Sequence, residues 1–194
     1  MARPREFDEE DVIAAAGDIF WARGFEGVST RELAAATGLT PSSLYAAFGS
    51  KRGLFVKALD LYLDQTLRDR IARIEAVYVG LEAIEAFFDE VVERSVADRQ
   101  HRGCMMVNAI VDAASQDVDL KRYVANETVQ IEAFFHRCIV AGQAAAEISA
   151  TQAAQGLARH LLAVLMGMRI LARIRPDPGV LAEIARSTLR ILRA

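Results

Sequence analysis

The chain has 194 residues, of which 53% are hydrophobic and 25% charged, with a formal net charge of −3. This composition supports a substantial core in one or two small domains. It excludes a membrane-spanning protein, because charged residues interrupt even the most apolar stretch, residues 157–174. Residues 1–10 are polar and carry no secretory signal, which predicts a cytoplasmic protein with no membrane contact and with Cys104 and Cys138 reduced.

The distribution of charge matters more for nucleic-acid binding than its sum. A net negative chain is an unpromising DNA ligand, but residues 29–57 reverse the overall sign. They contain a single acid, Glu32, against the bases Arg31, Lys51, Arg52 and Lys57. This segment is therefore the candidate for contact with DNA.

The first helix follows a short basic segment. Arg3-Pro4-Arg5 is either an ordinary disordered terminus or an arm that reaches DNA. Asp8 is a suitable N-cap, and apolar residues at helical spacing run from Val12 to Phe20 before Gly24. These signals predict a helix that ends at Gly24.

Two short helices and a tight turn come next. Ser29 and Glu32 form a capping box for a helix over Thr30–Thr37, which Gly38 ends. Thr40 caps a second helix that starts at Pro41 and runs to Phe48, with Leu44 and Phe48 inward and small residues outward. The arrangement predicts a helix-turn-helix.

The remainder reads as further helices with no strand. Ser50 caps a long helix that connects the first domain to a second one. Amphipathic stretches then follow near 81–96, 104–114, 119–145 and 151–173, the last opened by a Ser149/Gln152 capping box, and a final helix begins at Pro178. We expect an all-α protein of about nine helices, with a DNA-binding domain over residues 1–50 and an effector-binding and dimerisation domain over 51–194.

With the helix order in place, residues 24–55 resemble the DNA-binding head of TetR-family transcriptional regulators. The likeness rests on Gly24-Phe25, Ser29 to Ala34, Gly38-Leu39-Thr40, Leu44-Tyr45, Phe48 and Ser50-Lys51. It extends less strongly to residues 103–109 and 161–173. The resemblance implies a homodimer that binds a palindromic double-stranded operator, usually as a repressor, and that a small molecule releases.

The resemblance also implies which residues contact DNA. The second helix of the motif should enter the major groove, where all four base pairs are distinguishable. Thr30, Thr40, Tyr45 and Lys51 match positions that contact phosphates. The full expected set is Ser29, Thr30, Arg31, Thr40, Pro41, Ser42, Ser43, Tyr45, Ala46 and Lys51. Because the readout helix has no Arg, Asn or Gln, we expect specificity to come through Arg31, water or DNA shape.

The C-terminal part carries weaker signals. An apolar effector pocket is expected among Phe87, Phe88, Val91, Cys104, Met105, Asn108, Phe134, Phe135 and His160, each of which alternatively serves as core packing. The last two helices are the expected dimer interface through Leu161, Leu165, Ile184 and Leu189, with small residues that allow close approach; the alternative is a monomer core.

Cys104 offers a second mode of regulation. It starts a helix after a cationic loop, which is typical of a reactive thiol, so a redox or electrophile switch stands beside a merely buried cysteine. His101-x-x-Cys104 has metal-compatible spacing but no further ligands nearby, so we expect neither metal nor cofactor. The chain lacks a phosphate loop, a nucleophile elbow and a metalloprotease motif, which argues against an enzyme. A helical adaptor that binds protein is the remaining rival.

Overall fold

The computed structural model describes residues 7–112 and 117–193. Within these ranges it contains nine helices and no strand beyond one isolated antiparallel bridge between Ile148 and Arg193. The predicted all-α fold is therefore confirmed. The Arg3-Pro4-Arg5 segment lies outside the described residues. The helices are α1 Glu9–Arg23, α2 Thr30–Thr37, α3 Pro41–Phe48, α4 Lys51–Leu63 continued by Asp64–Arg68 and Asp69–Glu75, α5 Gly80–Ala97, α6 Met105–Asp112, α7 Val118–Ala144, α8 Ala154–Ile174 and α9 Pro178–Leu192.

The first three helices pack on the start of α4 around buried aromatic rings. Phe20 of α1 meets the edge of Phe55 of α4 with ring centroids 5.0 Å apart, and Leu33 and Leu44 close the core from α2 and α3. An eight-residue helix such as α3 is too short to be stable alone. Its stability therefore depends on the burial of Leu44 and Phe48 against α1, α2 and α4.

The connector α4 is one continuous helix with a wider turn in its middle. Residues Asp64–Arg68 make π-type hydrogen bonds, so one extra residue is accommodated in that turn. Such π-bulges are frequent at functional sites. The bulge contributes Leu67 to the protein interior, and Arg70 follows one turn later, also buried.

The C-terminal helices share a core of phenylalanines. Phe87 and Phe88 of α5 interlock with Phe134 and Phe135 of α7, with ring centroids 5.1–6.1 Å apart. All four rings are fully buried. They hold α5 against α7, while α8 and α9 cover the remaining faces.

The start of α8 differs from the prediction. The helix begins at Ala154 with Ala153 as N-cap, so the Ser149/Gln152 capping box is wrong. Ser149 is instead drawn to the end of the chain, where its N–H donates to the Leu192 carbonyl at 2.9 Å. Gln143 completes this loop by donating to the Ser149 and Gln152 carbonyls, each at 2.9 Å.

Candidate nucleic-acid interface and ligand cavity

Helix α3 presents an exposed face of small residues and one tyrosine. Pro41, Ser42, Tyr45 and Ala46 are exposed and Ser43 is half-buried. The inward position of Leu44 and Phe48 agrees with the predicted helix orientation. Gly38 ends α2 in the left-handed conformation, with φ 69°, and so sets the turn between the two helices.

Hydroxyl groups on this face are already tied to one another. Thr30 Oγ1 and the Tyr45 hydroxyl are 2.7 Å apart, which joins the first residue of α2 to the middle of α3. Thr40 Oγ1 accepts the Ser43 N–H at 3.2 Å and lies 2.9 Å from both the Ser42 and the Ser43 hydroxyls. A hydroxyl offers one donor and two acceptor sites, so each pair retains hydrogen-bonding capacity for an incoming group.

Ser29 is the N-cap of α2, the helix whose first residue bonds to Tyr45. Its hydroxyl donates to Glu32 at 2.7 Å, and its N–H donates to the same carboxylate at 2.8 Å. These bonds from the Ser29 side chain and backbone, together with Arg23, lower the pKa of Glu32 to about 2. The predicted capping box is confirmed.

The basic residues of the motif divide into two groups. Arg31 is exposed and has no ion pair or hydrogen bond to any residue in the described ranges. Lys51 lies in the first turn of α4, with its ammonium group 4.5 Å from the centroid of the Phe25 ring. Arg52 and Lys57 are instead ion-paired with Asp117 and Glu9. Of the four bases that make residues 29–57 locally positive, two are therefore paired with acids distant in sequence, and Arg31 and Lys51, the two that were expected to contact DNA, are not.

Two sets of contacts join the first helices to the C-terminal ones. Arg52 bonds to Asp117, the N-cap of α7, with its Nη2 2.9 Å from Oδ1, which helps to lower the pKa of Asp117 to about 2. Trp21 of α1 donates to the Gly103 carbonyl at 3.2 Å, and the Arg102 guanidinium stacks on its ring at 3.6 Å.

Sequence reasoning missed these anchors. No motif singled out Trp21 or Arg102, because the contact joins segments about eighty residues apart in the chain. The available signals were a tryptophan in the first helix and, far along the chain, the charged DRQHRG loop. The outcome is that the loop before Cys104 lies against the DNA-binding helices.

A narrow cavity lies among the C-terminal helices and the middle of α4. Of the predicted pocket residues, only Phe87 and Cys104 line it. Its other walls are Tyr62, Leu63, Thr66, Leu67, Arg70, Met106, Ile131, Leu165, Met166 and Arg169. The polar groups contributed by α4 and α8 were not anticipated, because only the packing of three helices brings them to one point.

The other predicted pocket residues have different surroundings. Phe88, Val91, Phe134 and Phe135 are packed core rather than cavity wall, since neighbouring rings fill the space around them. Met105 faces a separate groove beside α1. The Asn108 amide donates to the Arg102 carbonyl at 2.9 Å and so fixes the loop, and His160 is exposed on α8.

The predicted interface residues on α8 are also corrected. Leu161 and Leu165 are buried in the core of the chain itself, while Ile184 and Leu189 of α9 are half-buried. The exposed face of α8 lies on nearly the opposite side of the helix. Its solvent-facing residues include Arg159, His160 and Arg173 together with the small and apolar residues Gly156, Ala163, Gly167, Ile170 and Ile174, which we call the α8 stripe.

This geometry defines a helix-turn-helix protein with a helical C-terminal part, and comparison with known proteins gives its family. The model for bacterial regulatory proteins of the tetR family matches residues 12–58, and the model for the tetracyclin repressor-like C-terminal domain matches residues 80–188. The chain belongs to the TetR family. It is a DNA-binding transcriptional regulator and not an enzyme, as its relatives are regulators.

Several relatives match over nearly the whole chain. The regulator YezE of Bacillus subtilis (strain 168) is 28% identical over 99% of this chain and 100% of its own length. The repressor ComR of Escherichia coli (strain K12) is 28% identical over 97% of this chain and 90% of its own. CifR, solved as cysteine variants with 26-base-pair operator DNA, has a TM-score of 0.87 and 31% identity, covering 98% of this chain and 100% of its own.

None of the described helices is long and apolar enough to cross a membrane. No group of three or more potential metal-binding side chains occurs among the described residues.

Proposed function

We propose that this protein is a homodimeric repressor that binds a palindromic operator in the cytoplasm and that a small molecule bound among its C-terminal helices releases. The observation that carries the proposal is the hydroxyl network that joins Thr30 to Tyr45 and Thr40 to Ser42 and Ser43 on the exposed side of α3. Two relatives, ComR and BdcR, are named repressors, and CifR is bound to operator DNA, which supports the same role here.

The phosphate contacts are assigned to residues that already hold suitable positions. The hydroxyls of Thr30, Thr40 and Tyr45 are constrained by their partners, so little conformational entropy is lost on binding. Lys51 combines its charge with the free N–H groups at the start of α4, where a phosphate is favoured.

Base recognition is assigned to the exposed Ser42, Ala46 and Arg31. Ala46 suits contact with a thymine methyl, and the serine hydroxyl suits either a donor or an acceptor edge. Since a single Arg31 supplies the one strong base-reading side chain, much of the specificity falls to DNA shape and bridging water. Pro41 and Ser29 position this face rather than read it.

Dimerisation is assigned to the α8 stripe together with α9. A methyl group built at Gly156 or Gly167 would meet nothing within 4 Å, so another helix has room to approach there closely. Ile170 and Ile174 are 44% and 71% exposed in the single chain, and they gain burial if a second copy packs on the stripe.

The test is the salt dependence of binding to a duplex selected from a random-sequence library by the purified protein. Lys51→Ala should weaken binding about tenfold at 0.15 M salt and lower the slope of log affinity against log salt by about one per subunit. Lys121→Ala is the matched control, because Lys121 is an exposed lysine of α7 outside the helix-turn-helix. Failure to select any duplex, or an equal effect of both variants, would refute the proposal.

A second candidate is release through modification of Cys104. The observation that favours it is the position of this thiol in the cavity wall, together with Tyr62. Cys138 is a poorer candidate for modification, since burial raises the pKa of its thiol to about 12.

N-ethylmaleimide tests this candidate, because the Cys104 sulfur would add across its double bond and the adduct would occupy the cavity. We expect operator release from the native protein and from Cys138→Ser, and none from Cys104→Ser. Release that persists in Cys104→Ser would remove the thiol switch while leaving the repressor assignment intact.

A further inference from the structure

The cavity contains more positive charge than its surroundings balance. Its space amounts to about 350 Å³ when the open solvent at its mouth is included, of which about 20 Å³ admits the centre of a water molecule, and most of its walls are aliphatic or aromatic. Two arginines, Arg70 of α4 and Arg169 of α8, nevertheless contribute to the lining. Cations beside apolar walls need an anionic partner or many hydrogen bonds.

Arg70 lacks a full set of such hydrogen-bonding partners. Its side chain is only 2% exposed, its guanidinium lies 5.3 Å from the Phe87 ring, and its Nε donates to Glu90 at 3.2 Å. Its Nη2 is buried and has no hydrogen-bond partner among the described residues. A buried charged donor left without an acceptor is costly, so the site gains from any ligand that supplies one.

Glu90 does not neutralise the cavity. The carboxylate also accepts hydrogen bonds from Nη1 and Nη2 of Arg73, at 3.0 and 3.1 Å, so it is divided between two guanidinium groups. Arg169 adds a second charge, and its hydrogen bond to the Ser95 hydroxyl is long, at 3.3 Å. Burial, followed by repulsion from Arg169 and Arg94, lowers the pKa of Arg70 to about 10, as expected for an excess of positive charge.

We propose that this cavity binds a small monocarboxylate with an apolar body, whose carboxylate lies between Arg70 and Arg169. This inference rests on the proposed function, since it names the chemical class of the effector. A carboxylate oxygen supplies the acceptor that Arg70 Nη2 lacks. The apolar walls, among them Leu67, Met106 and Ile131, suit an aliphatic or aromatic body.

The position of the site links occupancy to the DNA-binding helices. Leu63, Thr66, Leu67 and Arg70 all lie in or beside the π-bulge of α4, the helix that begins with Lys51. On the same helix, Tyr62 packs edge-on against Trp21 of α1 with ring centroids 5.0 Å apart. An anion that draws Arg70 and Arg169 together therefore acts on α4 and, through Tyr62, on α1.

The experiment compares acids with their neutral isosteres on the full-length protein. Phenylacetate and hexanoate, and the matched phenylacetamide and hexanamide, are titrated by calorimetry at 0.15 M salt. We expect each acid to bind at least about tenfold more tightly than its amide, as one charge-assisted hydrogen bond would give. Arg70→Met and Arg169→Met should each abolish this preference for the acid.

Arg137→Met is the matched control, because Arg137 is exposed, pairs with Glu75 and is not among the residues that line the cavity. It should keep the preference for the acid. Circular dichroism melting checks that each variant folds. If a variant unfolds, Arg70→Gln and Arg169→Gln replace the pair, since glutamine retains hydrogen bonding without the charge.

Two results would overturn the proposal: equal affinity for acids and amides, or no binding of either acid at about 10 mM. Binding to the library-selected duplex, measured in parallel, separates this failure from that of the proposed function. If only the amides released the protein from its operator, the carboxylate class would be refuted and the repressor function would stand. If the acids bound in an arginine-dependent way but the protein selected no duplex, the anion site would be supported and the repressor function would be refuted.

Discussion

Tyr45 shows how one exposed side chain serves both the fold and the interface. It is 43% exposed, and its hydroxyl joins α3 to α2 through Thr30. A tyrosine in the core would be expected to bury this group. Here the ring packs partly against the helices, while the hydroxyl remains at the surface beside the proposed path of the DNA backbone.

Replacing Tyr45 by Phe removes only the hydroxyl. We expect operator affinity to fall about tenfold, because a hydrogen bond to a charged phosphate is worth more than about 1.4 kcal/mol. The free energy of unfolding should change by less than about 1 kcal/mol, since the lost bond to Thr30 is exposed. Fluorescence anisotropy measures the affinity. Tyr78→Phe is the control, with a similarly exposed ring outside the motif; equal affinity of the two variants would contradict the assignment.

Glu32 makes the start of α2 sensitive to acid. Its pKa is lowered from 4.5 to about 2 by hydrogen bonds from Ser29 and by Arg23. A lowered pKa in the folded state means that the stabilisation is present above pH 4.5 and is lost as the pH falls toward 2. The same carboxylate forms half of the capping box, so protonation weakens the helix that carries Arg31.

Glu32→Gln should reduce this pH dependence, because an amide does not titrate in the acid range. We expect the melting temperature of the native protein to fall more steeply between pH 5 and pH 3 than that of the variant, as linkage to the lowered pKa requires. The control is Glu26→Gln, at an exposed acid of the same region. Parallel curves for the native protein and Glu32→Gln would show that the capping box contributes nothing to acid sensitivity.

At the scale of the elements, the junction between α3 and α4 depends on the absence of a side chain. A Cβ atom built at Gly53 would lie 2.1 Å from the Phe48 carbonyl oxygen, a distance that real structures do not show. Because α3 ends at Phe48 and Ser50 caps α4, this contact sets how the readout helix leaves the connector. Glycine is needed here for close approach of two backbones.

Gly53→Ala should therefore destabilise the junction by about 1–3 kcal/mol, the usual cost of overpacking, and weaken operator binding. Gly17→Ala is a suitable comparison, because its new methyl would be 3.7 Å from Ala58 Cβ and would raise the helix propensity of α1. We expect this second variant to melt slightly higher than the native protein. Urea unfolding followed by circular dichroism distinguishes the two, and similar midpoints would disprove the steric argument.

The whole molecule separates its charges by position. The net charge is −3, yet Arg31 and Lys51 remain available near α3 while Arg52 and Lys57 are paired with acids of other segments. The pair between Arg52 and Asp117 is better regarded as a tie between α4 and α7 than as part of a DNA-binding surface. Together with Trp21 and Arg102, it fastens the DNA-binding helices to the C-terminal ones.

Disrupting the α8 stripe should separate the proposed dimer. In an Ile170→Glu/Ile174→Glu double variant, two carboxylates would be buried without partners, so we expect a monomer at micromolar concentration in sedimentation velocity. Operator affinity should fall by about 100-fold or more, because one subunit reads a single half-site. Val129→Glu, on the exposed side of α7, is the control and should stay dimeric. A double variant that sediments as a dimer would locate the interface elsewhere.

The local signals were sufficient for the motif. Ser29 with Glu32, Gly38, and Thr40 with Pro41 fixed the ends of α2 and α3 correctly, since caps and glycine turns act between residues a few positions apart. The inward position of Leu44 and Phe48 followed from helical spacing alone. By contrast, Ser149 and Gln152 satisfied the same capping rule and failed, because a carbonyl at the far end of the chain bound the Ser149 N–H instead.

Short-range periodicity and capping were therefore enough to predict the helical class, the helix-turn-helix and the residues exposed on its readout helix. Three features became visible only once the helices were packed together: which cations remain unpaired, which leucines of α8 face inward, and that Arg70, Arg169 and Cys104 share one cavity. This is because helical spacing defines a face of a helix but not the neighbour that covers it. Pairing across α4, α5 and α8 depends on helix packing, which no local pattern specifies.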